Sequence, residues 1–370
     1  MPVRIPVAAP VIGEREIEYV TDAVRSGWVS SIGPYVDKFE AAFAAFSGTR
    51  HAIAVMNGTT ALHVALHAMG VGPGHEVIIP DLTFVGTAHA VLQTGAEVVL
   101  VDVDERTWCM DPRAVERALS PRTRAIMPVH LYGLPADMNA ILEIASARGL
   151  DVIEDCAEAH GATIDGRRVG SMGRIGAFSF YGNKIITTGE GGMLTTSDDG
   201  LAARVRFLKD HGMSKERRYL HTELAFNYRM TNLQAALGLA QFEQIEAFIA
   251  KKRQILAWYR EGLRGVPGIR FNPEQPGMLN VAWMSCLVLD AGRSAQELGA
   301  KLSERGIDTR PFFLPMSELP HLAGCRKVSA NGPGCPVAGR LSRSGLNLPS
   351  GCGLQRAEID QVCEAVRALV

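Results

Sequence analysis

The chain has 370 residues, 47% of them hydrophobic and 21% charged, with a formal net charge of -1. That length and apolar content support a large core and two domains, while the near-neutral balance offers no long-range attraction for nucleic acid or for an anionic membrane face. No apolar run reaches the ~20 residues needed to span a bilayer, residues 1–7 lack a secretion signal, and the seven scattered cysteines contain no C-x-x-C pair, so a cytoplasmic protein without a disulfide framework or metal site is expected.

In chain order, short apolar and β-branched runs predict strands at residues 51–56, 76–80, 97–103, 124–129, 151–155, 177–181 and 192–197. Amphipathic segments between them predict helices at 59–69, 83–92, 111–119 and 137–148, each bordered by Gly, Pro or Asp. Strand and helix alternate at this spacing, and the apolar residues of the strand runs are continuous rather than alternating. Both features argue for a mostly parallel seven-stranded sheet covered by helices on both faces. From 232 to about 264 a single long helix is expected to bridge into a smaller α+β unit, with strands at 278–289 and 308–313, a loop at 330–336 and a closing helix at 355–369. The domains are accordingly drawn at 1–240 and 241–370. Cys325 and Cys335 lie close enough along the chain for a transient disulfide, and Cys156 reads as core packing rather than a nucleophile.

The chemistry centres on Lys184, in the run Phe178-Ser179-Phe180-Tyr181-Gly182-Asn183-Lys184. A lysine leaving a short apolar strand, followed by Gly189-Glu190-Gly191-Gly192, is placed to form an imine with a carbonyl cofactor. Upstream, Val152-Ile153-Glu154-Asp155 reads as a buried strand with a carboxylate at its C-terminal end, where open α/β sheets bind ligands. An acid there suits pyridoxal phosphate, whose protonated ring nitrogen makes it an electron sink. Gly58, Thr59 and Thr60 open a helix, and its free amides and positive dipole end suit the cofactor phosphate. His130 and His160 fit either a structural hydrogen bond or substrate contact.

Four segments in order, Asn57-Gly58-Thr59-Thr60-Ala61-Leu62-His63, Glu154-Asp155-Cys156-Ala157-Glu158-Ala159-His160, the lysine run and Phe226-Asn227-Tyr228-Arg229-Met230-Thr231-Asn232, resemble the DegT/DnrJ/EryC1/StrS family of pyridoxal-phosphate-dependent nucleotide-sugar aminotransferases. The resemblance runs from about residue 5 to the last helix. It implies the aspartate-aminotransferase (type I) fold and a homodimer whose active sites are shared between subunits. It further implies that Lys184 is both anchor and base, that Asp155 faces the ring nitrogen, that Phe84 stacks on the ring, that Glu158 approaches its phenolic oxygen, and that Ser179 and a partner-borne Asn227 hold the phosphate. The implied reaction takes an amino group from L-glutamate, holds it on the pyridoxamine phosphate form, and delivers it to a nucleotide-linked keto sugar.

The Gly189-Glu190-Gly191-Gly192 segment resembles relatives acting at the 4-keto position of a 6-deoxy sugar, with 3-keto sugars and cyclitol ketones as alternatives. Trp28, Ser30, Ser31, Asn183, Arg229 and Arg310 are the candidate sugar or nucleotide contacts. Ser317 stands where relatives commonly carry a histidine near the substrate mouth. The related sugar dehydratases carry histidine in place of the lysine, so Lys184 argues against that activity, and a non-catalytic cofactor-binding regulator would be expected to have lost Lys184 or Asp155.

Overall fold

The computed structural model describes residues 5–290 and 292–370. Seven strands, β1 (His51–Val55), β2 (Glu76–Pro80), β3 (Glu97–Val101), β4 (Thr123–Ile126), β5 (Asp151–Asp155), β6 (Ile175–Ser179) and β7 (Gly192–Thr196), lie in the order β1-β7-β6-β5-β4-β2-β3. From β6 to β3 all neighbours are parallel, and β7 runs antiparallel to both β1 and β6. Successive residues of each strand enter opposite cores: Ala52 and Ala54 join one cluster and Ile53 and Val55 the other, as do Ile78 and Val99 against Val77 and Val98. Burial on both faces is why the apolar residues of these runs are continuous instead of alternating.

Among the described residues the sheet has nine strands, not seven. Arg326–Ser329 adds parallel to β3, and Gly332–Pro333 pairs back on it antiparallel, so part of the expected loop at 330–336 is a sheet-edge hairpin. Cys325 and Cys335 at its two ends are both free thiols. The long helix expected from 232 is two helices, Asn232–Phe242 and Ile245–Gly262. Their break lies where buried Glu16 accepts the Gln241 and Gln244 side-chain amides at 2.6 and 2.8 Å, docking the N-terminal helix Glu14–Arg25 against it.

A third core gathers Ile5, Ile255, Tyr259, Leu287, Leu302, Leu346, Ile359 and Val362 around a four-stranded antiparallel sheet, in the order Ile269–Phe271, Ser285–Leu289, Gly345–Leu348, Arg310–Pro311. The strand expected across 278–289 is interrupted: Met278–Leu279 joins a separate small sheet, and 280–284 is irregular before Ser285–Leu289 resumes. Only Arg310–Pro311 of the run at 308–313 is strand. Among the described residues no helix is long and apolar enough to cross a membrane.

Candidate active site

A cavity of about 490 Å³ opens at the C-terminal ends of β5 and β6 and the start of helix Gly58–Ala68. It brings together Gly58, Thr59, Phe84, Asp155, Glu158, Ser179, Asn183 and Lys184, which the sequence had singled out from four separate segments. Asn57 caps the helix, its Oδ1 accepting the Thr60 N–H at 2.8 Å and its backbone carbonyl the Ala61 N–H. The Gly58 and Thr59 amides therefore precede the helix hydrogen-bond ladder and face the cavity with the dipole's positive end. A Cβ at Gly58 would come within 2.8 Å of the Ser179 side chain, so glycine is required for the helix to start this close to β6.

Asp155 ends β5 almost fully buried, its Oδ2 accepting the Thr87 hydroxyl at 2.8 Å and its Oδ1 the Ala157 N–H at 3.1 Å. Burial pushes its pKa up, and those two hydrogen bonds and Lys184 pull it back. Lys184 follows β6 on a turn closed by its N–H to the Tyr181 carbonyl, and Nζ lies 3.6 Å from Glu158 Oε1. The same Nζ sits 3.9 Å from the centroid of the Trp283 ring. Burial holds the lysine below its ordinary pKa, opposed by Glu158 and Asp155. Burial likewise pushes Glu158 up to about 7, although Lys184 and the Tyr132 N–H, 2.9 Å away, favour its anion. Both members of the pair are thus drawn toward their neutral forms.

These residues fit pyridoxal phosphate. The helix start offers amides to a phosphate, Asp155 is a buried carboxylate in the cavity wall, and Phe84 presents an aromatic face that is 56% exposed. Asn183 Oδ1, buried in the same wall, has no hydrogen-bond partner among the described residues. Lys184 supplies the amine.

Thr60 turns its hydroxyl back to the Asn57 carbonyl and does not line the cavity. Asn227 accepts from Arg229 Nε at 3.0 Å, Arg229 pairs with Asp210 at 2.9 Å, and both stand outside this cavity. Arg229 and Ser31 instead line a second cavity of about 590 Å³ whose wall carries Arg206, Lys209, Lys215 and Arg218. Trp28 is half exposed, the backbone carbonyls of Trp28 and Ser30 accept from Asn232, and Arg310 is an exposed partner of Asp308. None of these three lines the first cavity. Ser317 is drawn away from the mouth, its N–H and hydroxyl donating to the buried Asp81 carboxylate at 2.7 and 2.8 Å.

His130 and His160 are both fully buried and outside the cavity wall. His130 Nδ1 accepts the Ala136 N–H at 3.0 Å, which leaves the proton on Nε2 to donate to Glu154 at 3.2 Å. Glu154, the one acidic neighbour in the buried cluster of His130, Glu154 and Cys156, also accepts from the Gly170, Met172 and Gly173 amides, so its oxygens are committed to the fold. His160 packs against Phe178 and Phe180, and burial lowers its pKa to about 3. Sequence reasoning missed Thr87, Trp283 and Phe313, all in the cavity wall. A threonine inside an apolar helix and two aromatics far along the chain carry no local signal.

The DegT/DnrJ/EryC1/StrS aminotransferase family description matches residues 10–367. The chain is 46% identical to a GDP-perosamine synthase of Caulobacter vibrioides, over 98% of this chain and 97% of that relative. It is 41% identical to a GDP-perosamine synthase of Escherichia coli O157:H7 over the same shares. The crystal structure of Streptomyces venezuelae DesV in complex with a ketimine intermediate superposes with a TM-score of 0.88 at 37% identity, covering 96% of this chain and 94% of that one. Matched end to end and carrying a lysine and an acid together in one cavity, the chain belongs to the DegT/DnrJ/EryC1/StrS family of pyridoxal-phosphate-dependent aminotransferases.

Proposed function

We propose that this aminotransferase moves the amino group of L-glutamate to the keto carbon of a nucleotide-linked 4-keto-6-deoxy sugar, with GDP as the nucleotide in keeping with the perosamine synthases it resembles. The observation that carries the reading is the meeting of Lys184 Nζ, Glu158 and the Asp155 carboxylate in one cavity beside a helix N-terminus. When bound, pyridoxal phosphate supplies a carbonyl that captures amines and a ring that takes up electron density. Lys184, neutral for part of the time because burial disfavours its ammonium, is the group that takes a proton from the donor carbon and returns one at Nζ. Asp155, its two carboxylate oxygens fixed by Thr87 and Ala157, would be the acid that pairs with the cofactor's ring nitrogen. Phe84 bounds one face of the cavity and, with Phe313 at 5.8 Å between ring centres, narrows its mouth against water.

The same reading includes a homodimer with shared sites. Asn227 and Arg229 stand outside the cavity of their own subunit, and a partner's copies would complete it. Exposed Ile12, Ile17, Ile32 and Leu224 supply apolar area for such a contact. It also includes a large unit over 1–240 and a smaller one over 241–370, and a cytoplasmic setting.

The test is a panel of nucleotide-linked 4-keto and 3-keto sugars and cyclitol ketones, each offered with L-glutamate, with 2-oxoglutarate and amino-sugar formation followed together. Turnover is expected with the GDP-linked 4-keto-6-deoxy sugar. Turnover confined to a 3-keto sugar or a cyclitol would transfer the assignment to that class.

A further inference from the structure

Trp283 occupies a break that the chain makes at some cost. Between Met278–Leu279 and Ser285–Leu289, Ala282 adopts a left-handed φ of 51°, a conformation that a residue with a Cβ rarely takes. The break is held in place: Asn280 Oδ1 accepts the Ala282 N–H at 2.7 Å, and the Val281 N–H reaches the Gly133 carbonyl at 3.0 Å. A Cβ at Gly133 would strike the Ala282 and Trp283 amides at 2.8 Å. The Trp283 carbonyl accepts from Lys252 Nζ at 3.0 Å, and Lys252 is a buried lysine whose other acceptor is the Ser350 carbonyl at 2.7 Å. At the other end of the residue, indole Nε1–H donates to the Asn183 carbonyl at 2.8 Å, one residue before Lys184.

All of this fixes one face of the indole against Lys184 Nζ, 3.9 Å from the ring centroid. The ring also lies nearly parallel to that of Tyr132, 6.2 Å between centres, and the Tyr132 N–H donates to Glu158. An aromatic face attracts an ammonium more strongly than a neutral amine. Near Lys184, Glu158 and Asp155 favour the ammonium, while His160, held near 3, is already neutral over the range in which a lysine titrates.

We propose that Trp283 is a positioning residue for Lys184: its indole, anchored by Lys252 and Asn183, aims the amine at the cavity and favours its protonated form, so the ring helps set the pH at which Lys184 becomes a nucleophile. The inference rests on Lys184 being the reacting amine, and its test does not depend on turnover.

The full-length chain, freed of cofactor, is treated with an N-acetylating reagent across a pH series, and acetylation of Lys184 is read by peptide mass spectrometry against surface lysines. Trp283→Leu should lower the pH midpoint for Lys184 by about half to one unit, while Trp283→Phe, which keeps a π face, should retain most of the wild-type value. A midpoint that stays put or rises in Trp283→Leu, or an equal fall in both variants, overturns the proposal, since volume alone would then explain the effect. Should Trp283→Leu fail to fold, replacing tryptophan with 5-fluoro- and 5,7-difluorotryptophan withdraws electron density from the ring at nearly constant volume. The midpoint must then fall stepwise, and a constant midpoint overturns the proposal. Sugar amination by the wild-type enzyme bears only on the assigned reaction, so the two can fail separately.

Discussion

Thr87→Val probes the electrostatics of the site with little change in shape. Thr87 is buried in the first turn of helix Gly86–Leu92, and its hydroxyl donates to Asp155 Oδ2 at 2.8 Å while standing 3.0 Å from the Thr83 hydroxyl. Because an ionised carboxylate can only accept, Thr87 spends its proton on Asp155, and Thr83 donates to Thr87 in turn. Valine removes that bond and leaves the buried carboxylate with the Ala157 N–H and Lys184 as its remaining support. A hydrogen bond to a charged group contributes about 1.5–3 kcal/mol, and one pH unit corresponds to about 1.36 kcal/mol, so the pH at which Asp155 ionises should rise by about one to two units. Burial already displaces it upward, so the mutation acts in the same direction. The acid limb of kcat/KM, which reports groups in the free enzyme, should move up by that amount, with most of the activity recovered on the alkaline side. Asp155→Asn, having nothing to titrate, should be impaired at every pH. The assay is 2-oxoglutarate release with a keto-sugar acceptor, followed from the acid limb through neutrality. If the Thr87→Val and wild-type profiles superimpose, Asp155 does not depend on this bond and the electrostatic role assigned to it is wrong.

Lys184→Ala should reduce turnover by about 10²–10⁴-fold or more while leaving the fold intact by circular dichroism; near wild-type turnover would remove Lys184 from its role. Asn227→Ala should weaken cofactor retention in a dialysis assay, and mixing it with Lys184→Ala should restore some activity, because a heterodimer would hold one site with neither mutation. A verified heterodimer without activity would mean that each subunit's site is self-contained. His160→Leu should flatten the acid denaturation profile. Burial holds His160 near 3 against an ordinary value near 6.5, so the unfolded chain binds the extra proton and stability falls as pH drops through that window, by at most roughly 4–5 kcal/mol. An acid limb unchanged in His160→Leu, followed by tryptophan fluorescence, would assign the loss to other groups.

What the sequence made legible is what short segments decide by themselves. The continuous apolar stretches of β1 to β7 are strands because both faces are buried, and consecutive apolar residues carry that requirement locally. Gly58 and Asn57 announce a helix start, and Asp155 and Lys184 stand at strand exits where an α/β sheet collects its ligands. What stayed hidden depends on packing over long separations. Arg326–Ser329 is short and polar at its start, and only its register beside β3 makes it a strand. The break at 243–244 has no glycine or proline, because its partner is Glu16 from the other end of the chain. Trp283 reads as part of an apolar strand, and nothing local foretells that Gly133, Lys252 and Asn183 converge to turn it into the cavity.

The two acids of the cavity differ in how the fold supports them, and this difference argues for distinct roles. Asp155 receives a hydroxyl and a backbone amide, one on each oxygen, and these bonds offset part of the burial that pushes its pKa up. Glu158 receives one backbone amide, from Tyr132, and its other oxygen faces Lys184 Nζ at 3.6 Å, longer than a strong hydrogen bond. With less support and equal burial, Glu158 is pushed up to about 7, where a proton can pass between it and the lysine at little cost. Asp155 is therefore suited to be a lasting negative charge opposite a cationic ring nitrogen, and Glu158 to be the group that gains and loses a proton as Lys184 alternates between ammonium and amine. Glu158→Gln should accordingly lower the pH at which Lys184 becomes reactive, since Glu158 is the largest influence favouring its charge, whereas Asp155→Asn should alter that pH less and turnover more.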